Sequence, residues 1–336
     1  MFSSRVWILC LWLGTESIHW SRAVDLPLPR GGYFAAWHNG GVLVAGGTYW
    51  KEGKKIWTDA VHFFDPKQGR WFVRTPLPRP LAYGQMVSVG GNAYLLGGCD
   101  ESTVYRTVFR LQSDGWTRIG ELPDSLVYFS AVATGDVIYL LAGSHSLNDL
   151  SQGTNRAWAL DLRAMTWREI EPVPGPPRMT HAAAVVGKSI YVFGGATQEP
   201  GKNLIDLDDV VYFDTERKTW RTAARLPEPT RAGWALAVGP AVYLLGGANE
   251  KMLDQVLRYD SVADQYSRTS NLPLPLADTK FFYHNGMIYG AGGEDRARSR
   301  FAGTIIGTLV ERGKESKSHE SEESEESKRD AVSPKR

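Results

Sequence analysis

The chain has 336 residues, with 38 lysines and arginines against 37 aspartates and glutamates, a formal net charge of +1 at pH 7. That balance implies no strongly basic face and argues against a nucleic-acid-binding protein, and two cysteines, Cys10 and Cys99, do not make a disulfide framework. A composition of 43% hydrophobic residues with 35 glycines, 18 prolines and 12 tryptophans suits many short strands joined by tight turns around an ample core.

Residues 1–19 are expected to be a secretory leader. Arg5 precedes an apolar run from Val6 to Leu13, followed by Gly14-Thr15-Glu16-Ser17 rather than a small-x-small cleavage site. The run is too short to anchor the chain across a bilayer. The expected location is therefore periplasmic or secreted with no stable membrane anchor, the alternative being a cytoplasmic protein with a loose N-terminal arm.

Beyond it the chain repeats one pattern. A short apolar strand ends in a glycine pair, a polar loop follows, then a second strand, an aromatic residue and, in most units, a Leu-Pro. The pairs, or their equivalents, are Gly46-Gly47, Gly97-Gly98, Ala142-Gly143, Gly194-Gly195, Gly246-Gly247 and Gly292-Gly293. Unit one runs from Leu26 to about Thr75, and the next five start at Leu77, Leu122, near Pro172, Leu226 and Leu272. In unit one the strands are expected at Tyr33 to His38, Val42 to Ala45, Ala60 to Phe64 and Trp71 to Arg74, with a turn at Asp65-Pro66-Lys67-Gln68-Gly69. The aromatics Trp71, Trp116, Trp167, Trp220 and Tyr266 are expected to pack between neighbouring units.

A period near fifty residues with this content is the pattern of kelch-type β-propeller blades. The two ends are complementary. Trp20 precedes Leu26-Pro27 with no blade before it, while the sixth unit stops after the strand Thr304 to Leu309. The expected fold is all-β: a six-bladed kelch-type β-propeller over residues 20–310, its last blade closed by the N-terminal strand, which removes both free sheet edges. Residues 311–336 are Ser, Glu, Lys and Arg with almost no apolar side chain, and are expected to be a disordered charged tail.

Function in such a ring belongs to residues that break the repeat near the central channel. Glu294 directly follows the last glycine pair, and Arg296, Arg298 and Arg300 follow it. Arg30, Tyr83, Tyr128, Arg178, His181, Arg231, Asp278 and Lys280 lie near inner strands. Guanidinium groups converging on a funnel suit a carboxylate ligand, and a glutamate beside them suits proton transfer. Tyr83 either hydrogen-bonds a ligand or fills the channel mouth, and His181 is either a ligand contact or a structural histidine. The histidines form no metal-ligand spacing, so no metal is expected.

The chain also resembles the N-acetylneuraminate epimerase (sialate mutarotase) family, in particular its cyclically permuted branch. The likeness rests on Leu77-Pro78-Arg79-Pro80-Leu81-Ala82-Tyr83-Gly84, Gly46-Gly47 followed by Gly53-Lys54-Lys55-Ile56-Trp57-Thr58-Asp59, and Pro176-Pro177-Arg178-Met179, within a span from Trp20 to Leu309. It implies a six-bladed enzyme without cofactor that interconverts anomers of a small acidic sugar such as sialic acid. It places the catalytic pair on Glu294 and Arg300; from their places near inner strands, Arg30, Tyr83, Arg178, His181, Arg231 and Lys280 are the substrate-binding candidates. The alternative is a non-enzymatic kelch propeller that binds a glycan or protein partner.

Overall fold

In the computed structural model, which describes residues 16–310 except 114, the repeats fold into six four-stranded antiparallel sheets. In blade 1 the chain runs outward from the axis through Phe34–His38, Gly41–Ala45, Val61–Asp65 and Arg70–Arg74. The innermost strands of blades 2 to 6 are Gln85–Val89, Ser130–Thr134, Ala182–Val186, Trp234–Val238 and Lys280–His284. Each packs beside the next, and the last returns to Phe34–His38, so the sheets form a closed ring.

The second strand of each blade is covered on both faces and reads as a continuous apolar run. Gly41–Ala45 is buried at every position, whereas the outer strand Arg70–Arg74 is half or fully exposed. The core is accordingly divided among the blade interfaces. Phe34, Leu43 and Val61 of blade 1 pack on Met86, Leu95 and Phe109 of blade 2. Ile288 and Ile305 of blade 6 pack on Tyr243 and Val256 of blade 5. Burial of each such side chain stabilises the ring by about 1.5–3 kcal/mol.

The repeated aromatics lie between blades. Trp71 packs on Phe64 at 5.2 Å, and its indole N–H reaches the Val24 carbonyl at 3.2 Å and the Thr304 hydroxyl at 3.1 Å. Trp220 donates to the Glu171 carbonyl at 2.9 Å, and the Tyr266 hydroxyl to the Ala224 carbonyl at 2.8 Å. The glycine pairs serve a close approach. Gly46 and Gly47 have φ of 61° and 99°, and a Cβ on Gly46 would run into the Leu81 carbonyl of the next blade. In blade 3 Ala142 takes the first place of the pair at φ 52°.

The N-terminal strand closes the ring. Ser17–Ala23 pairs antiparallel with Thr304–Val310, from Ser17 opposite Val310 to Ala23 opposite Thr304. Ile18 sits in the core between blades 5 and 6, and Trp20 meets Phe281 edge-on at 6.4 Å. The strand begins three residues before the expected start at Trp20, so residues 17–19 of the expected leader belong to the blade. Residues 1–15 of that leader and the charged tail from residue 311 lie outside the described residues.

Blade 1 carries an addition. Its second and third strands are joined through a hairpin of Thr48–Lys51 and Lys54–Trp57, the only two-stranded sheet among the described residues. Its turn, Glu52-Gly53, has φ of 50° and 75°, the left-handed pair that a two-residue hairpin loop requires.

Candidate functional site

One residue in each blade, just before the innermost strand, has left-handed backbone: Gly32, Tyr83, Tyr128, Thr180, Ala232 and Asp278, with φ between 51° and 63°. Their main chains are linked around the axis. The N–H of Tyr83 donates to Gly32 O at 2.6 Å, Tyr128 to Tyr83 at 3.1 Å, Thr180 to Tyr128 at 2.9 Å, and Ala232 to Thr180 and Asp278 to Ala232 at 2.8 Å each. The sixth link differs, because the Gly32 N–H donates to the Asp278 side-chain carboxylate. Left-handed backbone costs a residue with a side chain about 1–3 kcal/mol and is typical of ligand clamps. Here the cost holds one position from every blade at the rim of the channel.

Inside this ring lies an axial cavity of about 400 Å³. Aromatic faces come from Trp50, Tyr83, Tyr128 and Trp234, and charged groups from Lys55, Asp278, Lys280, Glu294, Arg298 and Arg300. Tyr83 and Tyr128 stand against each other with ring centroids 5.1 Å apart. Such a mixture of flat apolar walls and a few convergent polar groups is the usual make-up of a small-ligand site.

Glu294 owes its place to the repeat it breaks. The residue after each glycine pair forms a bridge with the residue before the left-handed position, and in order these are Thr48, Cys99, Ser144, Ala196, Ala248 and Glu294. Five are small, and only blade 6 has a carboxylate there. The Arg300 guanidinium donates to Glu294, to Thr48 O at 3.1 Å and to Thr48 Oγ1 at 3.1 Å, so it ties blade 6 to blade 1. Thr48 Oγ1 in turn shares a hydrogen bond of 3.3 Å with the Tyr83 hydroxyl. Burial raises the Glu294 carboxyl above its ordinary range. The Arg300 charge opposes this, Asp278 adds to it, and Lys55 opposes it more weakly.

Lys280 is held on the opposite flank of Asp278. Its ammonium lies 3.3 Å from Asp278 Oδ1, 5.2 Å from the Tyr33 ring centre and 5.3 Å from that of Trp234. His181 also lines the cavity. It is 5% exposed, and neither ring nitrogen has a hydrogen-bond partner among the described residues. Burial, helped by the Arg178 charge, lowers its pKa to about 3, so its imidazole is neutral and free to give or accept a hydrogen bond. Among the described residues no group of His, Cys, Asp and Glu is arranged to hold a metal ion.

The structure thus brings together Glu294, Arg300, Tyr83, His181 and Lys280 of the site expected from sequence, with Tyr128, Asp278 and Arg298 beside them. Arg30, Arg178 and Arg231 do not line the cavity, and their expected place in it is corrected here. Arg30 and Arg178 stand two residues before the left-handed position, where blades 2, 3 and 6 have the core leucines Leu81, Leu126 and Leu276. Their side chains turn into the protein. Arg30 donates to the carbonyls of Leu28, Gly46 and Ala60 and to His62 Nδ1 at 2.8 Å. Burial lowers its pKa to about 10. Arg178, 0% exposed, pairs with Asp209 at 2.5 Å and donates to the carbonyls of Pro174 and Gly194. Arg231 is held by both oxygens of Asp206 at 2.5 and 2.6 Å. The reading of sequence missed Trp50 and Trp234 and gave Lys55 no role. The lysine-rich Lys51-Glu52-Gly53-Lys54-Lys55 stretch, found only in unit one, was the available signal.

Comparison with known proteins agrees with this architecture. Residues 83–293 match the KLHDC2/KLHL20/DRC7 Kelch-repeats domain. The chain is 24% identical over 298 residues to Kelch-like protein terF of Aspergillus terreus, an alignment covering 82% of this chain and 64% of that one. It is 26% identical over 254 residues to Beta-scruin of Limulus polyphemus, covering 70% and 27%. It is 24% identical over 276 residues to mouse Kelch-like protein 36, covering 79% and 44%. The chain therefore spans from about a quarter to just under two thirds of the length of these relatives. With six kelch-type blades and a match across more than half its length, the chain belongs to the family of KLHDC2/KLHL20/DRC7 Kelch-repeats domains.

Proposed function

We propose that this kelch propeller is a binding protein whose axial cavity takes a small acidic sugar, free or at the end of a glycan. One observation carries the reading: cationic side chains and flat aromatic faces converge in a cavity of about 400 Å³, a volume suited to a monosaccharide. Aromatic faces such as Trp50 and Trp234 suit the C–H surface of a sugar ring, and the lysine and arginine groups suit a carboxylate. The names of the relatives mention neither a sugar nor an isomerase, so binding alone is the leading reading. A titration calorimetry series with N-acetylneuraminate, neutral N-acetylhexosamines and peptides tests it. Binding of the acid in preference to the neutral sugars is expected. Binding of peptides alone would instead assign the rim to a protein partner.

A second reading is favoured by Glu294, the one carboxylate after a glycine pair, paired with Arg300 six residues on and raised by burial. This pair fits an acidic-sugar mutarotase. Anomer exchange removes a proton from the anomeric hydroxyl, breaks the bond from the anomeric carbon to the ring oxygen and gives that oxygen a proton. Reclosure on the other face reverses these steps. A carboxyl raised by burial can accept the first proton and return it to the ring oxygen in turn, and no cofactor enters the scheme. Freshly released α-anomer followed by NMR separates the readings. Exchange above the buffer rate, lost in Glu294→Gln, supports the enzyme. Binding with no rate gain leaves the binding protein.

A further inference from the structure

Four cationic side chains line the cavity, and two are already occupied. Arg300 is 5% exposed in its side chain and is spent on Glu294 and Thr48. Lys280, at 7%, is spent on Asp278. Lys55 has neither an ion pair nor a side-chain hydrogen bond among the described residues. Its ammonium instead lies among three aromatic rings, 5.6 Å from the centre of Tyr83, 5.7 Å from Trp57 and 5.8 Å from Trp50. Arg298 is also unpaired, but it is exposed to solvent, where an ion pair is screened. Lys55 is half-buried, so a partner anion gains more there.

We infer that Lys55, carried over the cavity by the hairpin of Thr48–Lys51 and Lys54–Trp57, is the seat of the ligand's carboxylate, and that Arg300 is a positioning residue for Glu294. The aromatic rings hold the cation in place without neutralising it, which leaves its charge for the ligand. Lys55 and Glu294 line the same cavity and act on each other electrostatically. In an acidic ketose the carboxylate is borne by the anomeric carbon. An anion on Lys55 therefore brings the anomeric hydroxyl into the volume the two residues share. This assignment rests on the reading of the cavity as an acidic-sugar site.

The test is calorimetry with N-acetylneuraminate and with its carboxyl methyl ester, on the unaltered chain and on Lys55→Met, Lys55→Arg and Lys67→Gln. Circular dichroism first confirms that each variant is folded. The hairpin lies outside the blades, so folding is expected to survive. The unaltered chain is expected to prefer the acid. Lys55→Met is expected to weaken the acid about tenfold to a hundredfold, the scale of a charge-assisted hydrogen bond, and to change the ester little. Lys55→Arg is expected to keep most of the acid affinity, and Lys67→Gln, on the exposed outer turn of blade 1, to stay within about threefold. Undiminished acid binding by Lys55→Met, or equal losses for acid and ester, overturns the assignment while leaving the acidic-sugar site standing. Failure of the unaltered chain to bind the acid overturns both.

Discussion

The Asp278 carboxylate accepts the backbone N–H of Gly32, and this contact takes the place of the sixth carbonyl in the hydrogen-bonded ring around the axis. It lies at the junction of blades 6 and 1, where Arg300 also crosses from Glu294 to Thr48. Closure of the ring and the electrostatics of the candidate site therefore share one side chain.

Asp278→Ala is expected to leave the Gly32 N–H without its partner and to lower stability by about 1–3 kcal/mol. Asp278→Asn keeps an acceptor at that place and should lose less. It also removes a negative charge that raises the Glu294 carboxyl, so that group should titrate at lower pH. Urea unfolding measures the first effect and carboxyl-carbon NMR titration the second.

Arg178 is predicted to act on stability and not on ligand binding. Arg178→Met strands Asp209 and should cost about 3–5 kcal/mol in urea unfolding, with ligand affinity unchanged in the folded fraction. A stable variant that has lost ligand binding would put Arg178 back in the site.

His181 gives the fold an acid-side pH dependence. Its unfolded pKa is 6.5, and burial lowers the folded value to about 3. Between these values the unfolded chain binds a proton that the folded chain refuses. Stability should therefore fall as pH drops from 6.5 toward 3, with a limiting slope of about 1.4 kcal/mol per pH unit from this group. His62, lowered to about 4 by burial and by Arg30, adds in the same direction. His181→Phe should flatten the slope of unfolding free energy against pH over that window.

Removing residues 1–23 deletes the strand opposite Thr304–Val310 and opens the ring. Exposure of that edge together with loss of Ile18 and Trp20 from the core should abolish cooperative unfolding or cause aggregation, read by calorimetry and light scattering. We propose that, if the chain is exported, processing falls before Glu16. The Glu16 carboxylate accepts from the Tyr243 hydroxyl and from Arg258, and Ser17 already pairs with Val310. Mass spectrometry of the mature N-terminus checks this.

The blades were legible in the sequence because each device that builds them recurs. Glycine pairs, apolar second strands and an outer aromatic such as Trp71 or Trp220 appear unit after unit, and the unmatched Trp20 strand announced the closure. Glu294 was legible for the opposite reason, as the exception after a glycine pair. Arg30 and Arg178 misled because nearness to an inner strand does not fix which way a side chain turns. Occupying a place that is leucine in three other blades was the sign that they point inward. Trp50 and Lys55 reach the cavity from a hairpin outside the blade pattern, and the backbone ring depends on φ values that no single residue type announces.

The most direct measurement is a crystal structure of the protein grown with N-acetylneuraminate. The sugar is predicted to lie in the axial cavity with its carboxylate on Lys55 and its ring against the aromatic wall, within reach of Glu294. A cavity filled only by solvent at saturating sugar, or the sugar bound on an outer face of the blades, would contradict the account.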